Sequence, residues 1–355
     1  VASNGASCKH SATEKFEGGN MKRFIEQWEA LCASSPILRF VDINLRGVGQ
    51  VMFQDNPLTG LLFLAAIAWG SFAARAPEVF IAGVIAVVTA TLAALWLRAN
   101  RPTLNAGLYG YNGVLVGLAL ATFITPGPLL WVYVVLGAAV SVVATLGTAN
   151  ALRPFGVAAL TFPFVIVTWI LLLATYGFSG LAGEGLPSAA VISPVELLPE
   201  NPLGLIDFVR GVLLSISQVF LKGSGIAALL LLAGLAVSSV PAAAFALGGA
   251  ILAVATAHLF GAESDLIVGG LLGFSPVLTA IALGAVFHRP SLRVAGYAAV
   301  ATIFTVVAQA ALDVGLRPFA IPALTAPFIL VSWMFLLPRQ SLEEGQSGGP
   351  DSGAG

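Results

Sequence analysis

Charged residues are so sparse in this chain that they leave apolar runs about as long as a bilayer is thick. A helix needs about 20 largely apolar residues to cross the hydrocarbon core. Runs of that order lie at 57–74, 78–98, 112–125, 128–149 and 155–176 in the first half. The second half gives 225–240, 242–260, 271–287, 294–312 and 318–337. The run 112–125 is short and Gly-rich, as half of a broken or re-entrant helix would be. An amphipathic segment precedes each half, at 37–54 and 205–222. Composition closes the soluble alternative: 58% of the 355 residues are apolar and 9% charged, against roughly 25% charged in an ordinary globular protein. A mean hydropathy of +0.94 leaves too little polar surface to wet a soluble particle of this size. The expected fold class is an all-α polytopic membrane protein.

The charges that remain are informative by position. A net charge of −1 gives no electrostatic footprint for nucleic acid. Cys8 and Cys32 cannot make a disulfide framework, and scattered histidines do not make a metal site, so no metal or cofactor is expected. With the N-terminus inside, Lys22, Arg23, Arg39, Arg46, Arg98, Arg101, Arg153, Arg289, Arg293 and Arg339 gather on the cytoplasmic side. The other side receives Arg75, Arg210, Lys222 and Arg317. This bias predicts both termini in the cytoplasm of a cell-membrane protein. The acidic stretch 177–205 carries no Lys or Arg and reads as the extracytoplasmic connection between two halves.

The ends are polar. Residues 1–20 lack an apolar core of the signal-peptide kind and precede Met21, which fits a disordered leader or a start placed too early. The domain reading is a polar, disordered leader at 1–35, a first transmembrane repeat at 36–176, the connection 177–205, a second repeat at 206–338 and a disordered tail at 339–355.

The halves are a duplication. RPFGVAALTFPFVIVTWILL at 153–172 and RPFAIPALTAPFILVSWMFL at 317–336 agree at eleven of twenty positions. The shared residues include Arg153/Arg317, Pro163/Pro327, Thr161/Thr325 and Trp169/Trp333, which apolar composition alone does not repeat. Two weaker matches keep the order: Tyr109-Gly110-Tyr111 with Leu115 answers Leu272-Gly273-Phe274 with Leu278, and Gln50 to Phe53 answers Gln218 to Leu221. Five runs per half is odd, so the copies must insert with opposite topology. Inverted repeats place a solute path at their interface, near the bilayer midplane.

Nearly all acids lie at run ends or in connections, so the acid inventory does not point to ion coupling at membrane depth. The expected solute is small and neutral, moving downhill. Polar atoms must still replace the water it sheds. The paired candidates are Gln50/Gln218, Thr161/Thr325 and backbone freed by Gly and Pro at 105–113 and 269–276. For each Thr the plain alternative is back-bonding to its own helix; Pro163 and Pro327, expected to interrupt the helix two residues later, favour pore lining. Phe53/Leu221, Tyr111/Phe274 and Leu115/Leu278 occupy the other paired places, either as core packing or as the flat walls of a slot. Tyr111 has a hydroxyl where Phe274 has none, so such a slot is asymmetric.

Arg46-Gly-Val-Gly-Gln50-Val-Met-Phe53 followed by Asn56-Pro57-Leu-Thr59-Gly60 resembles the opening motif of the urea transporter family, bacterial urea channels included. So do Leu108-Tyr-Gly-Tyr-Asn112-Gly113 and the Leu198-Pro199-Glu200 signature. The resemblance covers roughly residues 36–338. It implies two inverted five-helix repeats with re-entrant pore helices around a central pore, a homotrimer in membrane lipid, and channel-like passage of urea. Carried over by position, the filter comprises Gln50, Phe53, Tyr111, Leu115, Thr161, Gln218, Leu221, Phe274, Leu278 and Thr325. Gly223-Ser224-Gly225 departs from Asp55-Asn56-Pro57 and puts the shape of the second turn in question. Glu200 has a plainer role as cap of a helix starting near Pro202.

Two rivals belong to other classes. An enzyme needs a nucleophile–base pair or a metal constellation, and His258 and His288 have no His or Cys at ligand spacing. A channel for ammonium, ammonia or short amides remains the alternative transport reading; for ammonium, no pore-histidine pair maps between the halves.

Overall fold

The computed structural model describes residues 19–191 and 203–338, which are helical apart from turns, connections and one isolated bridge between Ile124 and Gly183. The chain divides into two compact units, up to Ile43 and from Asn44 onward. In the first, α1 (Gly19–Ser34) leads into α2 (Pro36–Gly49), and the Trp28 indole N–H donates to Asp42 Oδ1 at 2.8 Å. A leader without structure was expected as far as residue 35, yet α1 fills its second half.

The larger unit continues with α3 (Pro57–Ala73), α4 (Pro77–Trp96), α5 (Arg101–Asn105), α6 (Tyr111–Phe123), α7 (Pro128–Leu152) and α8 (Phe162–Ala174). After the connection come α9 (Leu205–Ser217), α10 (Gly225–Ser238), α11 (Val240–Leu259), α12 (Ser264–Val268), α13 (Phe274–Ile281), α14 (Leu292–Leu316) and α15 (Ala326–Leu336). The order repeats, and so do the details. Both α7 and α14 are 25 residues long. Leu130, Val134, Gly137, Ala138, Ser141, Val142 and Thr145 are the buried positions of α7, and those of α14 fall at the same places, from Val294 to Gln309.

The backbone repeats even where side chains differ. Left-handed φ occurs at Phe53 (64°) and Leu221 (57°), at Leu160 (51°) and Leu324 (52°), at Gly156 (67°) and Ala320 (52°), and at Gly107 (74°) and Gly270 (72°). For an L-residue this conformation costs roughly 1–2 kcal/mol, so its recurrence at matched non-glycine positions is a property of the repeat and not an accident of a turn. Gly107 has a second reason to be glycine: a Cβ there would come within 2.3 Å of the Gly47 backbone nitrogen.

Among the described residues, four helices, α4, α7, α11 and α14 with their flanking turns, are long and apolar enough to cross a membrane. Two more crossings result if each bent pair is one span: the helix ending at Met52 meets α3 at 74°, and the helix ending at Phe220 meets α10 at 72°. The protein is therefore an all-helical polytopic membrane protein with four to six candidate spans. The runs expected at 155–176 and 318–337 are not continuous helices. Each opens with a single 3₁₀ turn, Arg153–Phe155 or Arg317–Phe319, and an irregular loop before α8 or α15. Pro163 and Pro327 lie in the first turn of those helices, where a missing N–H costs nothing, so they start a helix instead of interrupting one. The run 271–287 also departs from a plain helix, since α13 passes into a π turn at Ala282–Val286.

Candidate functional site

Two irregular loops and two broken helices carry the paired polar residues. Residues 156–161 and 320–325 run between a 3₁₀ turn and a short helix, so their backbone groups lack a helical ladder. Thr161 and Thr325 close these loops as the N-cap residues of α8 and α15, each 3% exposed. Their hydroxyls meet each other: Thr161 Oγ1 and Thr325 Oγ1 are 2.6 Å apart. The back-bonding alternative is thereby displaced, because each hydroxyl faces its counterpart. One hydroxyl donates and the other accepts, so a hydrogen and several lone pairs remain for a third partner.

The residues before the threonines are strained and tied down. Leu160 and Leu324 both take left-handed φ, and their carbonyls accept from Tyr111 OH and, at 3.4 Å, from Ser275 Oγ. The Tyr111 hydroxyl, expected to make a slot asymmetric, is thus committed to the Leu160 carbonyl. Phe274 and Tyr111 are both half-buried, while Leu115 (1%) and Leu278 (0%) lie within the apolar core. Asn112, fully buried, donates to Thr145 Oγ1 at 3.1 Å and accepts from the Phe164 N–H at 3.2 Å, holding α8 to α6 and α7.

The glutamines repeat with equal fidelity. Gln50 Nε2 donates to the Ala106 carbonyl at 2.9 Å, and Gln218 Nε2 donates to Gly269 at 3.2 Å. Both are half-buried, and in each the side-chain Oε1 is left as an acceptor beyond that bond. Three residues on, Phe53 and Leu221 occupy the left-handed bends. The Phe53 ring meets Phe328 and Phe287 of the second half edge-on, at 6.1 Å each. The turn put in question by Gly223-Ser224-Gly225 keeps its shape, because Ser224 caps α10 through Ala227 N as Asn56 caps α3 through Leu58 N and Thr59 N. What differs is charge: Arg46 pairs with Asp55 at 2.7 Å in the first bend, where the second has Gly223 in place of Asp55. Leu198-Pro199-Glu200 lies outside the described residues.

Sequence reasoning overlooked the residues that hold the loops. Trp169 and Trp333 stand in the duplicated block as a matched pair with no role legible from sequence. In the fold, Trp169 Nε1 donates to Pro322 O and Trp333 Nε1 to Ala158 O, each at 2.9 Å. Each tryptophan therefore reaches into the loop of the opposite half. The signal available was that Trp, Thr and the Pro or Ala at the carbonyl position all fall within one repeated stretch.

Comparison with known proteins gives a single family. The family model described as urea transporter matches residues 41–340. Urea transporter 1 of Ovis aries is 27% identical over 325 residues, covering 90% of this chain and 81% of that protein. Urea transporter 1 of Rattus norvegicus is 28% identical over the same extent.

Proposed function

Because the chain belongs to the urea transporter family, we propose that its reciprocal loops and broken helices form the path by which it carries urea across the membrane. The activity is facilitated transport and not catalysis. The observation that carries the path is the Thr161–Thr325 hydroxyl contact, where residues far apart in sequence converge on matched, strained loops.

The chemistry suits the solute. Urea is planar and neutral, with N–H donors along its edges and one carbonyl. Hydroxyls and freed carbonyls replace the water lost by those N–H groups, and the walls of Phe53, Leu221, Tyr111 and Phe274, backed by Leu115 and Leu278 in the core, leave no polar partners for a hydrated ion. Gln50 and Gln218 add an acceptor at each bend. The wider arrangement follows the repeat: two inverted five-helix halves, with the bent helix pairs as re-entrant elements, assembled as a homotrimer in a cell membrane with both termini cytoplasmic. Reporter fusions should place residues 98–101, 153 and 289–293 in the cytoplasm and 184–200 outside; finding 184–200 inside would break the inverted arrangement.

Stopped-flow measurement on purified protein in liposomes tests the function itself. Urea flux that saturates weakly, carries no current and does not follow a pH gradient is the expected result. Flux coupled to protons or sodium would overturn downhill passage.

A further inference from the structure

We propose that Trp169 and Trp333 are positioning residues for solute selection, each fixing the width of the path by holding the threonine loop of the opposite half. This rests on the reading of those loops as the urea path. The loops at 156–161 and 320–325 have no helical ladder, and each contains a non-glycine residue in the left-handed region. Such a conformation persists only where the surroundings over-determine it. Tyr111 and Ser275 tie Leu160 and Leu324 from within each half, and two tryptophan bonds add a tie that crosses between the halves. Trp333 Nε1 donates to Ala158 O, three residues before Thr161, and Trp169 Nε1 donates to Pro322 O, three residues before Thr325.

The exchange has a mechanical consequence. A bond within one half would fix a loop to its own helix and leave the gap between loops free. A bond across the halves fixes the gap. Both tryptophans sit two turns into α8 and α15, so each helix carries a threonine at its start and grips the other threonine's loop further along. The Trp333 ring also packs against Phe162, with centroids 5.5 Å apart and planes tilted by 41°, whereas the residue matching Phe162 in the second half is Ala326. The two tryptophan bonds are equal in length and unequal in packing, and the 320–325 loop is also held across the halves by the Tyr176 hydroxyl, which donates to Ala320 O at 3.2 Å. A path that must tell urea from slightly larger amides needs its donors and acceptors held to within a fraction of an ångström, which is the work of a supporting shell.

The test uses Trp169→Phe and Trp333→Phe in the full chain, reconstituted in liposomes, with urea and N-methylurea fluxes measured side by side and normalised to assembled protein. Phe keeps an aromatic ring and removes the N–H. Each variant should pass urea about 2- to 10-fold more slowly, the range expected for one lost neutral hydrogen bond. The urea to N-methylurea ratio should fall by about 3-fold or more in each variant. A purely structural role predicts less assembled protein with an unchanged ratio per channel, and that result overturns the proposal. If a Phe variant does not assemble, a benzothienylalanine residue at the same position keeps the bicyclic ring without the donor; an unchanged ratio there overturns it equally. Failure of the underlying reading is distinguishable, because then Thr161→Val and Thr325→Val leave urea flux through assembled protein unchanged as well.

Discussion

The two helix bends, one ending at Phe53 and the other at Leu221, reach the same backbone by different side chains. Both turn the chain by more than 70° through a left-handed residue, and both cap the following helix with a side-chain oxygen. The first is braced by the Arg46–Asp55 ion pair and by the close approach of Gly60 to the Leu45 carbonyl. The second has Gly223 in place of the acid, Ala228 in place of the glycine, and Lys222, 5% exposed, with its stem against Gly70 of α3. Geometry is held in common, while each copy has settled on its own means of keeping it. What must be alike for passage is where backbone and hydroxyl oxygens stand, and that is what the halves share.

The sharpest way to break this comparison is at the tight approach. A Cβ on Gly60 would lie 1.9 Å from the Leu45 carbonyl oxygen, so Gly60→Ala should cost more than about 3 kcal/mol and abolish recovery of folded protein. At the matched place in the second half, Ala228→Gly should cost only about 1 kcal/mol, the propensity difference within a helix. Yield of folded protein scores the first and thermal unfolding in detergent the second, and equal sensitivity would show that the bends are braced alike.

The threonine pair comes next. Thr161→Val or Thr325→Val should lower urea flux by about 2- to 10-fold. Since the two hydroxyls bond each other, the double variant should lose less than the product of the single losses. Multiplicative losses would mean that the hydroxyls serve the solute separately.

Tyr111→Phe makes the first half resemble the second at this position. Loss of its bond to Leu160 should destabilise the protein by about 0.5–1.5 kcal/mol. Ser275→Ala, whose bond to Leu324 is 3.4 Å long, should cost less. Melting temperatures of the pair rank the two, and the reverse order would contradict the geometry.

The smallest effect concerns the connections before α7 and α14. Residues 124–127 carry no titratable group, whereas His288 sits in the matching connection with its ring against Tyr297 and its buried Nε2 unpartnered. Burial pushes the His288 pKa below its usual 6.5. The unfolded chain then binds more protons than the folded one as pH falls through 6.5, so stability should decline there and be unaffected above. His288→Gln should flatten that part of a melting-temperature profile; an unchanged slope would assign it elsewhere.

Much of this molecule was determined by sequence alone. Sparse charge required membrane helices, and the order of repeated motifs required a repeated fold, because helix starts, caps and breaks depend on residues within a turn or two of one another. Pro57, Asn56 and Ser224 act at that range, and Gln50 and Gln218 are legible because they sit within motifs. The limits of α8 and α15 were less legible, since an apolar loop and an apolar helix have the same composition; only the backbone distinguishes 156–161 from the helix it enters. What the tertiary structure alone decided is which distant groups meet. The contact of Thr161 with Thr325, the tie of Tyr111 to Leu160 and the exchange of Trp169 and Trp333 between loops join residues with no local pattern to announce them. The threonine and tryptophan contacts exist because two strained loops, each short of backbone partners, find those partners only when the halves close on one another, while the Tyr111 tie is made within the first half.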